Sequence, residues 1–395
     1  MMIRKTRPEE VLRAEELFAI AFEQPMEREA AAQPDDVGVC RWAAFDNGAK
    51  EMMSTFTVTD FTVRFDGHAC KMGGIGGVAT LPQYRRRGGI RGCFQAALPD
   101  MYASRYDFSY LYPFSTAYYR QFGYECCVRK LSVSVHLGLL APQKFSGTIR
   151  LAEAGNPMTE AIRTVDACWE GKYNMMVQHR LEDYKWTKKQ DPAVRQEFTY
   201  ICFAPDGRPK AYTSFTKEDQ SDGRNLVCSR LCFADREGFS GLMNLFKSLS
   251  ADHAIVKFSF PAAEAMQYLF PEWSMGAAVY SLQPAGMVRV VNAESVLRKA
   301  AYVGSGSAAL RIRDPQIPEN DRIFAIRFSQ GKAVSVEETQ GEADAVLSIA
   351  AFSALISGVC DFRDAAEWMD GLEVRRPETL PRVFYRKPLM ITDYF

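Results

Sequence analysis

The sequence predicts an α+β protein with mixed, mostly antiparallel sheets and flanking helices, and three observations carry this prediction. Two pairs of β-prone segments are joined by turns whose residues tolerate positive φ, Asp46-Asn47-Gly48 and Asp66-Gly67. Apolar residues recur at helical spacing in residues 11–22 and 90–101. The same order of strands and helices returns, more faintly, in residues 148–260.

The first 130 residues are predicted to form a strand, a helix, an antiparallel meander, a basic turn and then helix, strand and helix. Thr6 and Glu9 have the spacing of a capping box before the first helix. Pro82 ends a β-prone stretch, and Pro99 is expected to kink or shorten the helix that follows the basic turn. Ser115 is expected to cap the last, short helix. The predicted strands are residues 3–5, 42–45, 52–58, 61–65, 68–72, 78–81 and 108–112.

The middle of the chain repeats this order without the basic turn, so we expect a duplicated fold in which the second copy has an empty site. From about residue 283 the pattern changes to strands around a polar turn, followed by a helix. The predicted strands of the middle region are 148–151, 198–203, 210–215, 225–233 and 254–260, and its helices are 159–170 and 239–249. In the region after residue 283, the predicted strands are 308–313, 324–328 and 345–349, and the predicted helix is 352–358.

Length and composition bound the possible functions. A chain of 395 residues is expected to form two or three domains. Lys plus Arg equals Asp plus Glu at 48 each, so no net charge attracts a nucleic acid or an anionic membrane. The charged N-terminus does not resemble a signal peptide, and no run of about eighteen apolar residues predicts a membrane span.

The ten cysteines stand at irregular spacings, without a CxxC pair or a zinc-like cluster of His and Cys. In a chain of this length, that pattern favours buried thiols in a reducing compartment over a disulfide framework. The sequence therefore predicts a soluble, cytoplasmic protein with no metal site.

The strongest chemical signal is the segment of residues 78–91, Val-Ala-Thr-Leu-Pro-Gln-Tyr-Arg-Arg-Arg-Gly-Gly-Ile-Arg. Its basic glycine turn lies between a predicted strand and a predicted helix. Backbone N–H groups converge at a helix N-terminus and bind phosphate, and glycine lets the ligand approach them closely. Neighbouring arginines add charge-assisted hydrogen bonds to phosphate oxygens. We therefore expect a diphosphate to bind at this turn, with a solvated basic turn as the alternative.

Other nucleotide and nucleophile signatures are absent or out of place. Gly74-x-Gly76-x-x-Ala79 matches the letters of a dinucleotide fingerprint, but it leads into a strand instead of from a strand into a helix. The sequence has no GxxxxGK[ST] phosphate loop. The four histidines show no pairing with a serine or cysteine nucleophile, so a catalytic triad has little support.

Two motifs resemble those of the GNAT acetyltransferases. Residues 78–90 resemble the acyl-CoA motif, in which a strand binds pantetheine and an Arg-x-x-Gly-x-Gly/Ala turn holds the diphosphate. Here the turn is Arg85-x-x-Gly88-x-Ile90, with isoleucine in place of the small final residue. Residues 118–125, Tyr-Tyr-Arg-Gln-Phe-Gly-Tyr-Glu, resemble the second GNAT signature, an aromatic helix that ends in Gly-Phe or Gly-Tyr.

Over its whole length the chain resembles the enhanced intracellular survival (Eis) family. That resemblance implies tandem GNAT folds and a C-terminal domain similar to sterol carrier proteins, for which residues 317–320 and 343–349 are the matching segments. The implied domains are a catalytic GNAT domain at 1–145, a degenerate GNAT-like domain at 146–284 and a sterol-carrier-like domain at 285–395 that ends in the active site. A homohexamer is also implied.

The resemblance also implies roles for single residues. Tyr124 is the expected general acid, with Tyr119, five residues earlier, as the alternative. The terminal carboxylate of Phe395 is the expected base. The residues expected at the acetyl-CoA site are Val78, Ala79, Thr80, Arg85, Arg86, Arg87, Gly88, Gly89, Ile90, Arg91 and Tyr119.

The expected reaction is transfer of an acetyl group from acetyl-CoA to a small primary amine by direct attack in a ternary complex. An alkylammonium with a pKa near ~10.4 must lose a proton before it attacks, and the departing thiolate needs a proton donor. The amine is an aminoglycoside, a polyamine or a lysine-like group. Transfer of a longer acyl chain is one alternative, and a non-catalytic acyl-CoA or lipid-binding scaffold is another.

Overall fold

A computed structural model describes residues 1–26, 38–46, 48, 51–184, 191–194, 197–220, 223–261 and 278–394. These residues form two compact units, 1–128 together with 285–395, and 129–284. Among the helices described, none is both long and apolar enough to cross a bilayer. The domain limits expected from the sequence, 1–145, 146–284 and 285–395, stay a prediction.

The first unit is built on a seven-stranded sheet with strand order β1-β2-β3-β4-β5-β14-β6. All neighbours pair antiparallel except β4 and β5, which are parallel. The strands are β1 (Met2–Lys5), β2 (Val39–Phe45), β3 (Met52–Phe65), β4 (His68–Thr80), β5 (Phe108–Leu111), β6 (Glu125–Cys126) and β14 (Met287–Val290). The first two helices are α1 (Val11–Phe22) and α2 (Gly89–Ala103), and the short helix α3 is Thr116–Arg120.

Helices α1 and α2 cover opposite faces of this sheet, as the two-residue alternation of β2 shows. Ala43 and Phe45 pack in one cluster with Leu17 of α1, whereas Trp42 and Ala44 pack in another with residues of α2. Helix α2 continues to Ala103, so Pro99 does not shorten it.

The capping box expected at Thr6 and Glu9 is wrong. The carboxylate of Glu10 instead accepts the backbone N–H of Arg7 at 2.8 Å, and it also accepts two hydrogen bonds from the guanidinium of Arg4.

The last part of the first unit forms a five-stranded sheet with strand order β17-β16-β15-β18-β19. It contains the three strands and the helix that the sequence predicts after residue 283, together with two further strands and three more helices. The strands are β15 (Gly306–Arg313), β16 (Ile323–Ser329), β17 (Lys332–Thr339), β18 (Ala345–Ser348) and β19 (Leu372–Val374). The helices are α6 (Ala293–Lys299), α7 (Ile349–Ser357), α8 (Phe362–Trp368) and α9 (Leu380–Val383).

The second unit is a seven-stranded sheet with strand order β13-β7-β12-β11-β10-β9-β8 and two longer helices. Its order of elements from β8 onward repeats that of residues 1–111, as the sequence predicts. The strands are β7 (Arg129–His136), β8 (Thr148–Leu151), β9 (Glu197–Phe203), β10 (Pro209–Gln220), β11 (Gly223–Phe233), β12 (Ile255–Pro261) and β13 (Ala278–Pro284). The helices are α4 (Thr159–Lys172) and α5 (Arg236–Ser248).

The architecture confirms the α+β fold class with tandem sheets. The ten cysteines, all of them in the described part of the chain, are free thiols. Burial raises the pKa of the thiols of Cys93 and Cys202 to about 12, which makes them poor nucleophiles at neutral pH.

Candidate active site

Strands β4 and β5 separate at one end of the first sheet and leave an edge of β4 open. Their parallel pairing ends at Ile75 and Leu111, whereas β4 continues to Thr80. Alternate N–H and C=O groups of residues 76–80 therefore face a gap where β5 has ended. This edge can hydrogen-bond an extended ligand as a missing strand would.

A β-bulge interrupts β4 within this open segment. Thr55 of β3 pairs with Ala79, but Thr57 pairs with Gly76, so Gly77 and Val78 together stand opposite one residue of β3. Gly77 has a φ of +59°. A bulge leaves the extra residue outside the ladder and turns its amide, so the N–H groups near Val78 are available for an oxyanion in the gap. Ala79 is buried, and Val78 and Thr80 are half-buried.

The basic turn continues from this edge and ends at the N-terminus of α2. Arg86 has a φ of +63°, and Gly88, the residue that precedes the helix, has a φ of +83°. No side chain caps the helix at this end. Because Gly92 N–H is the first to bond back to Gly88, the amides of residues 89–91 remain open for an anion.

Close packing explains why the second residue of the Gly88-Gly89 pair is a glycine. A Cβ on Gly89 would clash with the hydroxyl of Ser54 and lie 3.3 Å from the Cβ of Ala44. Ile90 is buried in the core, so its side chain packs inward while its amide remains in the first turn. The small residue of the motif that this turn resembles is therefore replaced here by a core residue.

The four arginines of the segment remain on the surface. Arg85, Arg86 and Arg87 are exposed, and the guanidinium of Arg87 lies 5.2 Å from the ring centre of Tyr84. Arg91 is exposed and donates to the side-chain oxygen of Gln121 at 2.9 Å. The open edge of β4, the arginines and the open amides of residues 89–91 thus follow one another along the chain. This arrangement suits a pantetheine arm and a diphosphate.

Tyr119 and Tyr124 lie on either side of the turn that follows α3. The hydroxyl of Ser115 accepts the backbone N–H of Tyr118 at 3.3 Å and caps this helix as predicted. Phe94 of α2 packs between the tyrosines, with ring centres 6.0 Å from Tyr119 and 5.9 Å from Tyr124. Both rings are buried.

The hydroxyl of Tyr124 is hydrogen-bonded to a buried residue of the first sheet. It lies 2.6 Å from Oγ of Ser109, whose own proton is donated to the carbonyl of Gly73 at 3.1 Å, so Tyr124 is the donor of the pair. Gly73 lies five residues before Val78, roughly 16 Å along an extended strand. Burial raises the pKa of Tyr124 above its usual value. Its proton is therefore directed away from the bulge.

The hydroxyl of Tyr119 has a different environment. It makes no hydrogen bond to any residue of the described ranges, and it is not sealed from solvent although the ring is 2% exposed. Burial raises the pKa of Tyr119. The exposed ring of Phe114 lies 5.4 Å from its ring centre. Tyr119 thus presents a protonated hydroxyl that has no partner within the protein's described parts.

The Phe122-Gly123-Tyr124 turn is fixed by residues that the sequence did not single out. Arg289 of β14 is fully buried and donates from Nε to the carbonyl of Phe122 at 2.8 Å. Its terminal nitrogen bonds both carboxylate oxygens of Asp314, at 2.7 and 2.8 Å. Gly123 has a φ of +83°, and a Cβ there would lie 2.5 Å from Cγ2 of Ile349. This turn requires a glycine on both counts.

The end of the chain lies beside β5. Tyr112 directly follows this strand, and its hydroxyl donates to the carbonyl of Asp393 at 2.8 Å. The rings of Tyr112 and Tyr394 stack with centres 4.2 Å apart. Phe395 lies outside the described residues. The tail is thus held next to the point at which β4 and β5 separate.

Several of these residues were missed from the sequence because their signal is only spatial. Ser109 is a single serine in an apolar strand, and Tyr112 is one of several tyrosines in its segment. Phe18 of α1 lies beside the bulge, 3.5 Å from where a Cβ of Gly77 would be. Only the basic turn and the tyrosine pair had a recognisable pattern.

Comparison with family models agrees with this description. Residues 2–127 match the acetyltransferase (GNAT) domain, and residues 293–388 match the sterol carrier protein domain. No curated protein sequence matches the chain significantly. The first match contains every residue predicted at the cofactor site, and the second contains the sterol-carrier-like segments.

Solved structures share the fold over the full length. A conserved protein of unknown function from Enterococcus faecalis V583 superposes with a TM-score of 0.86 at 22% identity, covering 100% of this chain and 99% of that one. A GCN5-related N-acetyltransferase from Anabaena variabilis gives 0.83 at 17%, and Eis1 from Mycobacterium abscessus gives 0.81 at 18%, each covering 100% of both chains. At these identities the likeness establishes the fold.

Proposed function

We propose, from the premise that this chain belongs to the Eis-like GNAT acyltransferases, that it transfers the acetyl group of acetyl-CoA to a primary amine. The observation that carries the proposal is the open edge of β4 at residues 76–80, which leads directly into the uncapped N-terminus of α2. Pantetheine would extend the sheet along this edge, and the diphosphate would lie on the amides of residues 89–91.

The reaction proceeds by direct attack within a ternary complex. The neutral amine attacks the thioester carbon, the carbonyl oxygen becomes an oxyanion, and collapse of this intermediate breaks the C–S bond. An N–H of the bulge at Val78 stabilises the oxyanion. The departing thiolate takes up one proton, and the attacking nitrogen loses one as it becomes the amide, so the step balances without a covalent enzyme intermediate. Holding both substrates together supplies much of the rate.

Two tyrosines are candidates for the acid that protonates the thiolate. The family resemblance assigns this role to Tyr124, and that assignment stays a prediction. The hydrogen bonds favour Tyr119, because the Tyr124 proton is donated to Ser109 near Gly73 whereas the Tyr119 hydroxyl has no described acceptor. A proton donor must come within about 3 Å of the sulfur.

For the base, we retain the carboxylate of Phe395. What supports it is the position of the preceding residues, because Asp393 and Tyr394 are held by Tyr112 at the end of β5. An α-carboxyl has a pKa near ~3.5 in water, so it is a weak base unless burial or substrate pairing raises that value, or a water relays the proton. Asp393 would add negative charge that attracts a cationic amine.

For the acceptor we propose a class of molecules and not a single compound: an aminoglycoside, a polyamine or a lysine-like amine. We also expect a homo-oligomer, with the hexamer as the implied state, and an enzyme that works in the cytoplasm. Light scattering coupled to size exclusion checks the oligomer, with a monomeric mass as the contrary result.

Calorimetric titration with CoA, combined with a thiol-release assay, tests the function. Acetyl-CoA should release thiol only when an amine from a panel of these three classes is present, and palmitoyl-CoA should release much less. Faster release from palmitoyl-CoA would indicate a long-chain acyltransferase. CoA binding without turnover across the panel would indicate a scaffold, and absence of CoA binding would remove the proposal entirely.

A further inference from the structure

A cavity of about 190 Å³ lies within the second unit, between helix α4 and the sheet. At about 30 Å³ per molecule of liquid water, it holds roughly six waters or a ligand of similar size. Ligand sites for drug-sized molecules are larger, about 300 to 1,000 Å³. All of its lining residues except Ile162 carry a polar side-chain group: Thr159, Ile162, Asp166, His179, Asp183, Tyr184, Thr199, Tyr212, Ser214 and Arg230.

A buried carboxylate forms the helix side of this cavity. Asp166 is 5% exposed, and its two oxygens accept hydrogen bonds from Tyr212 and Tyr184, each at 2.7 Å. No Lys, Arg or His in the described parts of the chain comes within ion-pair distance of it. Buried charges are normally paired, and a carboxylate has about four lone-pair sites. The carboxylate of Asp166 can therefore accept further hydrogen bonds, and a cationic donor would balance its charge.

Three polar side chains form the sheet side. Thr199 of β9, Ser214 of β10 and Arg230 of β11 stand directly opposite one another across the three strands. Opposed residues in neighbouring strands point to the same face, so they form one continuous row. The hydroxyls of Thr199 and Ser214 lie 2.7 Å apart, and Arg230 adds a positive charge at the end of the row.

The cavity is not a second acyl-CoA site. At the position where α2 has its open amides, the corresponding helix α5 is capped by Asp235, whose carboxylate accepts the N–H of Gly238 at 3.0 Å. Glu237 adds a second negative charge in the first turn. Both carboxylates repel a diphosphate, and that of Asp235 also occupies an amide that would bind it. The second unit therefore lacks the cofactor turn while keeping a polar cavity under α4.

We propose that this cavity binds a small primary amine that also carries an oxygen acceptor, the class of amino alcohols and α-amino acids. The ammonium group supplies a counter-charge that Asp166 does not have among the described residues. The oxygen end faces Ser214 and Arg230, and the guanidinium charge disfavours a second ammonium there. Diamines of similar length are therefore expected to bind less well than amines with a hydroxyl or carboxylate.

Calorimetric titration of the full chain with ethanolamine, L-serine and putrescine tests this site. Ethanolamine or L-serine is expected to bind, and putrescine to bind more weakly. Asp166→Asn keeps the side-chain shape and should weaken binding at least ~10-fold, because the counter-charge is lost. The matched control Asp252→Asn, an exposed acid of the same unit, should bind as the wild type does.

Acetyl-transfer kinetics separate this cavity from the acceptor site of the first unit. Asp166→Asn should leave the KM for the acetylated amine unchanged while probe binding is lost. Should Asp166→Asn fold poorly in a thermal melt, Ser214→Met fills the cavity from the sheet side without touching the acid, and it should block binding equally. Unchanged binding in a folded variant of either kind, preference for putrescine, or no binding of any probe by the wild type would overturn the proposal.

Discussion

Arg289 donates a hydrogen bond from Nε to the backbone carbonyl of Phe122 at 2.8 Å, across 167 residues of sequence. The same guanidinium forms a fully buried ion pair with Asp314, and β14, which carries it, lies between β5 and β6 in the first sheet. The turn before Tyr124 is therefore held in place by the part of the unit that follows residue 284. Arg289 thus connects the turn before Tyr124 to the sterol-carrier-like part through Asp314.

Replacement of Arg289 by alanine is expected to lower the free energy of unfolding by about 3–5 kcal/mol, because the Asp314 carboxylate is left buried without its partner. Urea denaturation of the purified variant measures this loss. Arg375→Ala is the control, since Arg375 pairs with Glu373 where both side chains are exposed, and such a pair is worth at most about 1 kcal/mol. Equal losses in the two variants would contradict the role given to Arg289.

Gly123→Ala is expected to be more destabilising than Gly207→Ala, although the two glycines have nearly the same φ, +83° and +84°. Both substitutions carry the backbone cost of a left-handed residue, about 1–2 kcal/mol. At Gly207 the added Cβ meets open space, whereas at Gly123 it lies 2.5 Å from Ile349 and 3.1 Å from Arg289.

Thermal unfolding of both glycine variants, with thiol release as a second readout, makes the comparison. Activity should fall only in Gly123→Ala, because only that change displaces the tyrosine turn. Similar melting temperatures and similar activities would show that the close approach of Ile349 has no energetic weight.

Local patterns in the sequence predicted most of the fold. The Asp66-Gly67 hairpin, the α2 periodicity and the repeated order of strands in the second unit all depend on neighbours within a few residues, and the structure has them. The empty site expected in the second unit stays a prediction, and the acidic cap of α5, Asp235, agrees with it.

Contacts between residues far apart in the sequence could not be predicted, because the type of a side chain does not indicate which distant residue it contacts. Asp66 was interpreted only as a turn residue, yet its carboxylate binds the buried ammonium of Lys387 and accepts the N–H of Ala301 at 2.7 Å. Burial lowers the pKa of Lys387 despite this partner. Likewise, the pattern of Met287–Val290 did not indicate that this strand completes the first sheet.

Arg86→Gln is expected to weaken CoA binding by about 10-fold, because one charge-assisted phosphate contact is worth roughly 1.5 kcal/mol. Arg105→Gln is a closely matched control: Arg105 is also exposed and also left-handed, with a φ of +60° against +63°, but it lies beyond the other end of α2. Calorimetry at two salt concentrations measures both. Equal effects of the two substitutions would contradict a diphosphate at the turn.

Tyr119→Phe is expected to reduce kcat by about 10²-fold or more with little change in KM for acetyl-CoA, since general acid catalysis contributes about 10²–10⁴. Tyr124→Phe should instead cost stability through the lost bond to Ser109, with a smaller effect on kcat. Ser109→Ala is the control, because it removes the same bond and keeps the phenol. The reverse pattern, a large loss of kcat only in Tyr124→Phe, would restore the role that the family resemblance assigns.

Extension of the tail tests the proposed base. One added glycine after Phe395 moves the carboxylate by a residue and should lower kcat, whereas Tyr112→Phe should loosen the tail by removing its bond to Asp393. Steady-state kinetics of both variants check this, with Tyr385→Phe, another partly buried tyrosine of the first unit, as control. Wild-type kcat in the extended chain would exclude the carboxylate.

The pH dependence of kcat/KM distinguishes titration of the acceptor amine from titration of groups on the protein. An acceptor amine with a pKa near ~10.4 is mostly protonated at neutral pH, so kcat/KM should rise about tenfold per pH unit between about pH 6 and 9. The acid must be protonated to act, and burial raises the pKa of both Tyr119 and Tyr124, so the falling limb moves above about pH 10. An acceptor of lower pKa should shift the rising limb downward by the same amount. A rising limb that stays fixed would belong to a protein group, and a falling limb near pH 8 would exclude either tyrosine as the acid.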